Sequence, residues 1–439
     1  MQFFDRENEI DKLRSISSLS SGTSHLTVVT GRRRIGKTSL LIKAYDEETM
    51  LYFFVSRDSE SSLCEEFAEE VKSKLNIPIV GRVEHFADLF SFLMEVSEKR
   101  PLTLVIDEFQ NFMRVNGSIF SQMQRIWDLH KSTAKMNLIV CGSVYSMMNR
   151  LFRDHKEPLY GRQTDIMNVE AFTPNVIKQI LGIYNPQSSR EDLLSLYLLT
   201  GGVAKYVEIF MDNHITTRST MLDYVLSKDS YFIYEGKNML IEEFGRDYGR
   251  YFEILKLIAM GRNTRAEIED TLKMEVSGYL TRLENDYALI SKRIPLLQKS
   301  SNKNIHYAID DNFLCFWFRF LYKYAYMIEV NAYGKLLEVV ERDYTTFSGK
   351  VLEKYFIQQM KELGRYTNIG SWWDRKGENE IDIIAIDEIK KTIDFFEVKR
   401  NKNEVDISVL KKKAEVFLTK NGEIAGYKQS YKGLSLEDM

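Results

Sequence analysis

The chain has 439 residues, 44% apolar and 28% charged, and its 60 Lys/Arg against 63 Asp/Glu leave a net charge of −3. At roughly 150 residues per domain that is room for about three cores. The composition excludes wholesale disorder and a chain that is basic throughout, while a local basic patch for nucleic acid stays open.

Taken in chain order, Met1 to Arg6 shows no basic segment followed by an apolar one, so no export signal is read there. Residues 1–172 alternate strand-like and helix-like runs. His25–Thr30, Met50–Val55, Leu102–Ile106, Leu138–Cys141 and Ile166–Val169 are short and apolar, and helical patterns separate them. That alternation predicts a parallel sheet covered on both faces. Residues 173–245 read as a helical lid, with Pro174 near a helix start and a break at Gly201-Gly202. From 246 to 345 the pattern is an amphipathic helix (Phe252–Met260), a short helix from Ala266 and a helix over Tyr279–Asp286. Two strands follow, Leu289–Arg293 and His306–Ile309, and then an aromatic linker helix over about 313–345. Three helices and a ribbon predict a winged helix-turn-helix. A last domain spans 346–439. The six prolines leave room for long helices, and the aromatic run Phe313–Tyr326 is broken by Arg319 and Lys323, so no membrane span is expected. Cys64, Cys141 and Cys315 are far apart, in apolar surroundings, and read as buried hydrophobes rather than a zinc or disulfide set. The expected setting is cytoplasmic.

Gly31-Arg32-Arg33-Arg34-Ile35-Gly36-Lys37-Thr38 fits G-x-x-x-x-G-K-[ST], with a strand before it and a helix after it. Its glycines let successive backbone N–H groups and the positive helix end face phosphate oxygens. Lys37 is expected to reach the β- and γ-phosphates, and the Thr38 hydroxyl to bind Mg²⁺. Leu104-Val105-Ile106-Asp107-Glu108 supplies the partner: Asp107 to hold Mg²⁺ through water, Glu108 to polarise the attacking water. Ser143, after Cys141-Gly142, either senses the γ-phosphate or closes an ordinary strand-end turn. Arg162 either stabilises charge on the transferring phosphoryl group, in cis or from a neighbouring subunit, or makes a structural salt bridge.

These residues resemble the archaeal-type AAA+ ATPase family, related to the STAND and replication-initiator ATPases. The marks are Phe4-x-Arg6-Glu7-x-Glu9, Gly31-x-Arg33-Arg34-x-Gly36-Lys37-Thr38-Ser39, Asp107-Glu108-Phe109-Gln110, Cys141-Gly142-Ser143 and Leu159-Tyr160-Gly161-Arg162. Ala308-Ile309-Asp310-Asp311-Asn312-Phe313-Leu314-x-Phe316-Trp317-Phe318 matches the family's junction after the winged helix. The resemblance implies ATP or ADP as ligand, slow hydrolysis, a Mg²⁺ cofactor, and Phe4 to Glu9 near the adenine, with Phe4 and Arg6 among the contacts. The family's lid often carries Gly-Gly-x-Pro-x-Tyr; here Ala204 stands in place of the proline. The expected fold is therefore α/β: a P-loop AAA+ sheet, a helical lid, a winged helix-turn-helix and a C-terminal α/β nuclease-like domain.

The last domain carries a second acidic pattern. Ile381–Ile386 and Ile393–Lys399 read as a hairpin joined by residues 387–392, and a register pairing 387 with 392 sets Asp382 opposite Glu397. Two facing carboxylates repel unless a cation lies between them, and Lys399 shares their face. Oxygen ligands plus a lysine suit a metal-dependent phosphodiesterase, with a second Mg²⁺ or Mn²⁺ held by Asp382 and Glu397 and charge stabilised by Lys399. The spacing resembles the PD-(D/E)xK restriction-endonuclease-like fold, which this ATPase family often carries at its C-terminus, and Glu353 matches the helix glutamate of such domains. A degenerate fold that keeps the shape without cleaving is the alternative. In residues 249–320 Lys/Arg outnumber Asp/Glu by only 11 to 9, with Lys292, Arg293, Lys299 and Lys303 in the wing. DNA contact through the wing and a spacer role stand side by side. Three functions follow: an ATP-dependent enzyme on DNA; a signalling-type switch with nucleotide-dependent homo-oligomers; and a DNA-binding regulator.

Overall fold

The computed structural model describes residues 1–46, 50–79, 81–298, 304–374 and 378–439. Two compact units divide it, Asp5–Glu170 and Met1–Phe4 with Ala171–Met439. In the first unit the expected apolar strands are β1 (His25–Thr30), β2 (Met50–Phe54), β3 (Leu102–Asp107), β4 (Met136–Cys141) and β5 (Asp165–Asn168). They form one parallel sheet in the order β2-β3-β4-β1-β5. Every residue of β3 and β4 is buried, which is why these strands read as mostly apolar runs rather than alternating ones. The helices Glu60–Leu75, Phe86–Lys99 and Ile119–His130 contribute to a large core with β2, β3 and β4, in which the rings of Phe53 and Phe67 stack at 4.2 Å. The carboxyl ends of β1, β4 and β3 fall at one edge of the sheet, and the phosphate-loop motif sits there.

The second unit begins with helices whose ends follow their sequence signals. Thr173 caps Pro174–Tyr184, and Ser189 with Asp192 forms a capping box on Arg190–Thr200. Gly201 terminates that helix with φ +57°, and a Cβ on Gly202 would stand 2.3 Å from the Phe172 carbonyl oxygen. Helices Ala204–Asp212, Arg218–Val225 and Phe232–Phe244 follow. Next come Tyr248–Ala259, Arg265–Leu272, Ser277–Asn285 and an antiparallel pair, β6 (Ile290–Arg293) with β7 (His306–Ile309). Lys299 and Lys303 lie outside the described residues. The ribbon packs on the last sheet of the same unit. Leu296 enters that sheet's core and donates its N–H to the Ser371 carbonyl at 2.9 Å, and His306 stacks on Trp373 at 4.7 Å.

The aromatic linker differs from expectation. It is a short helix (Asn312–Phe316), a π turn (Trp317–Tyr322) and a second short helix (Ala325–Glu329), closed by Asn331 at φ +57°. A 30-residue helix, Tyr333–Glu362, then runs unbroken across residue 346. Its buried stripe (Leu336, Val340, Tyr344, Phe347, Val351, Tyr355) keeps a three-to-four-residue spacing through the expected break, so nothing there stops the helix. The last sheet contains β8 (Asn368–Trp373), β9 (Glu380–Asp387), β10 (Thr392–Val398) and β11 (Lys428–Leu434), in the order β11-β10-β9-β8. β10 and β11 are parallel, with helix Ile407–Lys420 between them in the chain; the other pairs are antiparallel. The hairpin register is the expected one, Thr392 opposite Asp387 and Phe396 opposite Ile383, with both strands extending into the expected turn.

Candidate functional site

The loop after β1 is built around two glycines. Gly31 has φ +151°, and a Cβ there would stand 2.6 Å from the Val169 carbonyl oxygen; Gly36 has φ +97° and caps the helix Lys37–Ala44. Ile35 is buried and anchors the loop, Arg33 and Arg34 are half-buried, and Thr38 and Ser39 are exposed. Arg34 adopts φ +69°. The Lys37 side chain is buried and folds back over the loop, its Nζ 2.8 Å from the Gly31 carbonyl and 2.9 Å from that of Arg32. The first N–H groups of the helix therefore open toward the loop's concave side, the geometry that takes an anion.

Across the sheet edge, Asp107 ends β3 with its carboxylate buried and held by three donors. Thr38 Oγ1 donates to Oδ2 at 2.9 Å, Tyr52 Oη donates to the same oxygen at 2.5 Å, and the Glu108 N–H donates to Oδ1 at 2.8 Å. Burial, reinforced by Asp107, pushes the Tyr52 hydroxyl well above its ordinary pKa, so it stays a donor. Burial first, and Asp107 next, also keeps the Cys141 thiol protonated, which makes it an unreactive neighbour. Glu108 sits at φ +53° and accepts from Gln110 Nε2 at 2.5 Å and from Ser143 Oγ at 2.9 Å, both on Oε2. The ends of β3 and β4 thus bring together Thr38, Asp107, Glu108 and Ser143. A hydroxyl beside a fixed carboxylate is an oxygen-donor set suited to Mg²⁺.

Three expected residues are not part of this cluster. Arg162 precedes β5, whose first residue, Asp165, pairs with Thr27, so it lies at the amino-terminal edge of the sheet, about 15 Å, a strand length, from the loop. Its guanidinium donates to Asp128 at 3.1 Å and to the Tyr160 carbonyl at 2.9 Å. Within its own chain Arg162 makes the salt bridge that was its other reading. Arg6 is buried at the start of helix Glu7–Ser20 and binds the Glu170 carbonyl at 2.5 Å and Glu9 at 3.1 Å, while Phe4, also buried, belongs to the other unit.

In the last sheet, Asp382 and Glu397 are both buried. The Val398 N–H donates to Asp382 Oδ2 at 2.7 Å. Lys399 Nζ stands 2.8 Å from Glu397 Oε1 and 3.9 Å from Asp382 Oδ2, and Lys413 Nζ is 3.4 Å from Glu397 Oε2. Burial opposes the charge on Lys399, but the bond to Glu397 and the charges of Asp382, Glu397 and Glu353 outweigh it and raise its pKa. Burial raises the pKa of Asp382, and it pushes Glu353 up to about 8, with Asp382 adding to the effect. The expected repulsion is present, and two ammonium groups offset it. Among the described residues no group of three or more His, Cys, Asp or Glu side chains is arranged to hold a metal.

Sequence reasoning missed four contributors. Tyr52 lies in an apolar strand and resembles a core aromatic; Gln110 stood in a motif without a role; Lys413 sat in a lysine-rich helix. Arg400 was overlooked beside Lys399. It donates to Ser348 Oγ at 2.6 Å and to Glu191 Oε2 at 2.5 Å, tying the end of β10 to helices Tyr333–Glu362 and Arg190–Thr200.

Residues 3–210 match a family described as an ATPase domain predominantly from Archaea, and residues 317–416 match a family of archaeal and bacterial proteins of unknown function. The uncharacterized protein MJECL04 of Methanocaldococcus jannaschii is 30% identical over 410 residues, covering 90% of this chain and 87% of that one. The Walker-type ATPase PABY2304 of Pyrococcus abyssi superposes with a TM-score of 0.55 at 20% identity, over 72% of this chain and 96% of the other, a likeness of fold. Among the described residues no helix is long and apolar enough to cross a membrane.

Proposed function

The chain belongs to the family whose ATPase domain occurs predominantly in Archaea, and from that premise we propose that it hydrolyses ATP at Gly31–Thr38 to control a nuclease-like C-terminal domain. The carrying observation is the Thr38–Asp107 bond across the loop edge, beside a glutamate held by Ser143. In this reading the backbone N–H groups from Arg33 to Thr38 cradle the phosphates, with Ser39 in the next turn of the helix. Lys37 moves its ammonium from the loop carbonyls to the β- and γ-phosphates. Thr38 and Asp107 hold Mg²⁺, which when bound neutralises phosphate charge. Glu108 orients the attacking water, and Ser143 fixes where that carboxylate points. Arg6 lies on the adenine side, and Arg162 serves a neighbouring subunit in a nucleotide-dependent homo-oligomer. The setting is cytoplasmic.

The proposed link to the C-terminal domain is Arg400, which ties the strand carrying Glu397 and Lys399 to helix Arg190–Thr200. There Asp382 and Glu397 would bind Mg²⁺ or Mn²⁺, and Lys399 would stabilise charge on a DNA phosphodiester. The test is nicking of single-stranded, duplex and branched DNA with each cation. Cation-dependent cleavage lost in Glu397→Ala supports the reading, and no cleavage under any condition removes it.

A second reading, a nucleotide switch whose C-terminal domain binds without cleaving, is favoured by the pairing of both carboxylates with lysines. It expects tight ADP retention and ATP-dependent assembly. The helices Tyr248–Ala259, Arg265–Leu272 and Ser277–Asn285 with the β6–β7 ribbon, read as a winged helix, are best taken as a spacer. Lys292 is paired with Glu284 at 2.5 Å and Arg293 with Asp310 at 3.5 Å, and Leu296 is built into the last sheet's core. A DNA-binding regulator therefore has the least support.

A further inference from the structure

We propose that Tyr52 is a positioning residue for the cation of the ATP site: its hydroxyl holds Asp107 in the orientation that receives the nucleotide-bound metal. The inference rests on the ATPase reading of that site. Tyr52 lies on β2, the edge strand, opposite Val105, two residues before Asp107 on β3. Its ring runs along the sheet toward the edge that carries the phosphate loop and ends at Asp107 Oδ2, 2.5 Å away. Thr38 Oγ1 donates to that same oxygen at 2.9 Å.

The two donors have different duties. Thr38 is the residue whose own oxygen must turn to a cation, so its bond to Asp107 is the one that adjusts when the cation arrives. Tyr52 has no such second duty. Its ring is carried by β2 and not by the phosphate loop, so its bond is kept in both conditions. The Glu108 N–H does the same for Oδ1. The carboxylate is then held at both oxygens by donors that do not move, and only the Thr38 bond is free to rearrange. A ligand held in advance binds its cation without the cost of ordering itself.

The experiment uses the full chain, freed of endogenous nucleotide, and Tyr52→Phe, which keeps the ring and removes the hydroxyl. Binding of a fluorescent ADP is measured in Mg²⁺ and in EDTA, and the Mg²⁺ concentration for half-maximal binding is read from the same titration. The expected result is a five- to tenfold loss of the Mg²⁺-dependent gain in affinity, about the net worth of one hydrogen bond, with affinity in EDTA unchanged. Equal losses with and without Mg²⁺, or no loss at all, overturn the proposal. Asp107→Asn and the double variant guard against a folding artefact. If Tyr52 acts through Asp107, the double variant loses no more than Asp107→Asn alone, whereas additive losses sink the idea. Wild-type protein that binds no nucleotide defeats the underlying ATPase reading instead, which keeps the two failures apart.

Discussion

The molecule holds two pairs of carboxylates at strand ends, and they are stabilised by opposite means. Asp107 and Glu108 accept from hydroxyls and amides: Thr38, Tyr52, Ser143, Gln110 and a backbone N–H. Glu397 is held by the ammonium groups of Lys399 and Lys413, and Asp382, bonded by the Val398 N–H, has the Lys399 charge 3.9 Å away. Neutral donors fix a carboxylate's direction and leave its charge in place for an incoming cation. Ammonium donors fix it by cancelling that charge, so a cation must displace or tolerate them. In the proposed reading the first pair takes a metal with its nucleotide, and the second would have to rearrange before it could.

The comparison breaks most readily at Lys37. Lys37→Ala is expected to lower ATP turnover about 1,000-fold while the thermal midpoint stays within a few degrees, because the lysine acts on phosphate charge rather than on the core. A variant that still turns ATP over at the wild-type rate removes the first site from the account.

The second pair is sharpened by pH. Glu353, ordinarily titrating near 4.5, is raised to about 8 by burial and by Asp382. A carboxyl that holds its proton more tightly when folded stabilises the fold fully below pH 4.5, and that stability is lost as pH rises through 8. Wild-type unfolding free energy is expected to fall on the order of 3 kcal/mol relative to Glu353→Gln between pH 5 and 8, read by urea denaturation at each pH. Parallel pH profiles for the two proteins contradict the raised Glu353 carboxyl.

Next in size is the tie between the second site and the helices of its unit. Arg400→Ala leaves Glu191, and the adjoining Arg218 and Tyr344, without the bridging guanidinium. The expected cost is about 2 kcal/mol by chemical denaturation, against less than about 0.5 kcal/mol for breaking the exposed Lys335–Glu338 pair. Smallest is Ser143→Ala, expected to reduce kcat about tenfold with KM for ATP unchanged, since it touches Glu108 and not the phosphate loop. A matched rise in KM places Ser143 on the nucleotide instead.

How much of this was readable in the residues depended on how local the determinants were. The phosphate loop, its strand and its helix are contiguous, so glycine spacing and apolar runs were enough. The β9–β10 register followed from a period of two and a short turn, which is why Asp382 and Glu397 could be set on one face beforehand. Tyr52 was not readable, because its role comes from the β2–β3 pairing and not from any motif. Lys413 reaches Glu397 only through the crossover between β10 and β11. The boundary expected at residue 346 interrupts no helix, because the buried stripe of helix Tyr333–Glu362 continues through it. Arg162 was placed by motif order, while its edge of the sheet was set by β5 pairing parallel to β1.

The central claim, that the loop Gly31–Thr38 is a working nucleotide site, is tested most directly by calorimetric titration of magnesium-ATP and of ADP into the intact, nucleotide-stripped chain beside Lys37→Ala. The account predicts one saturable site in the wild type, and heat that collapses in the variant. Flat titrations with a folded wild-type protein, or indistinguishable ones for the two chains, would contradict it.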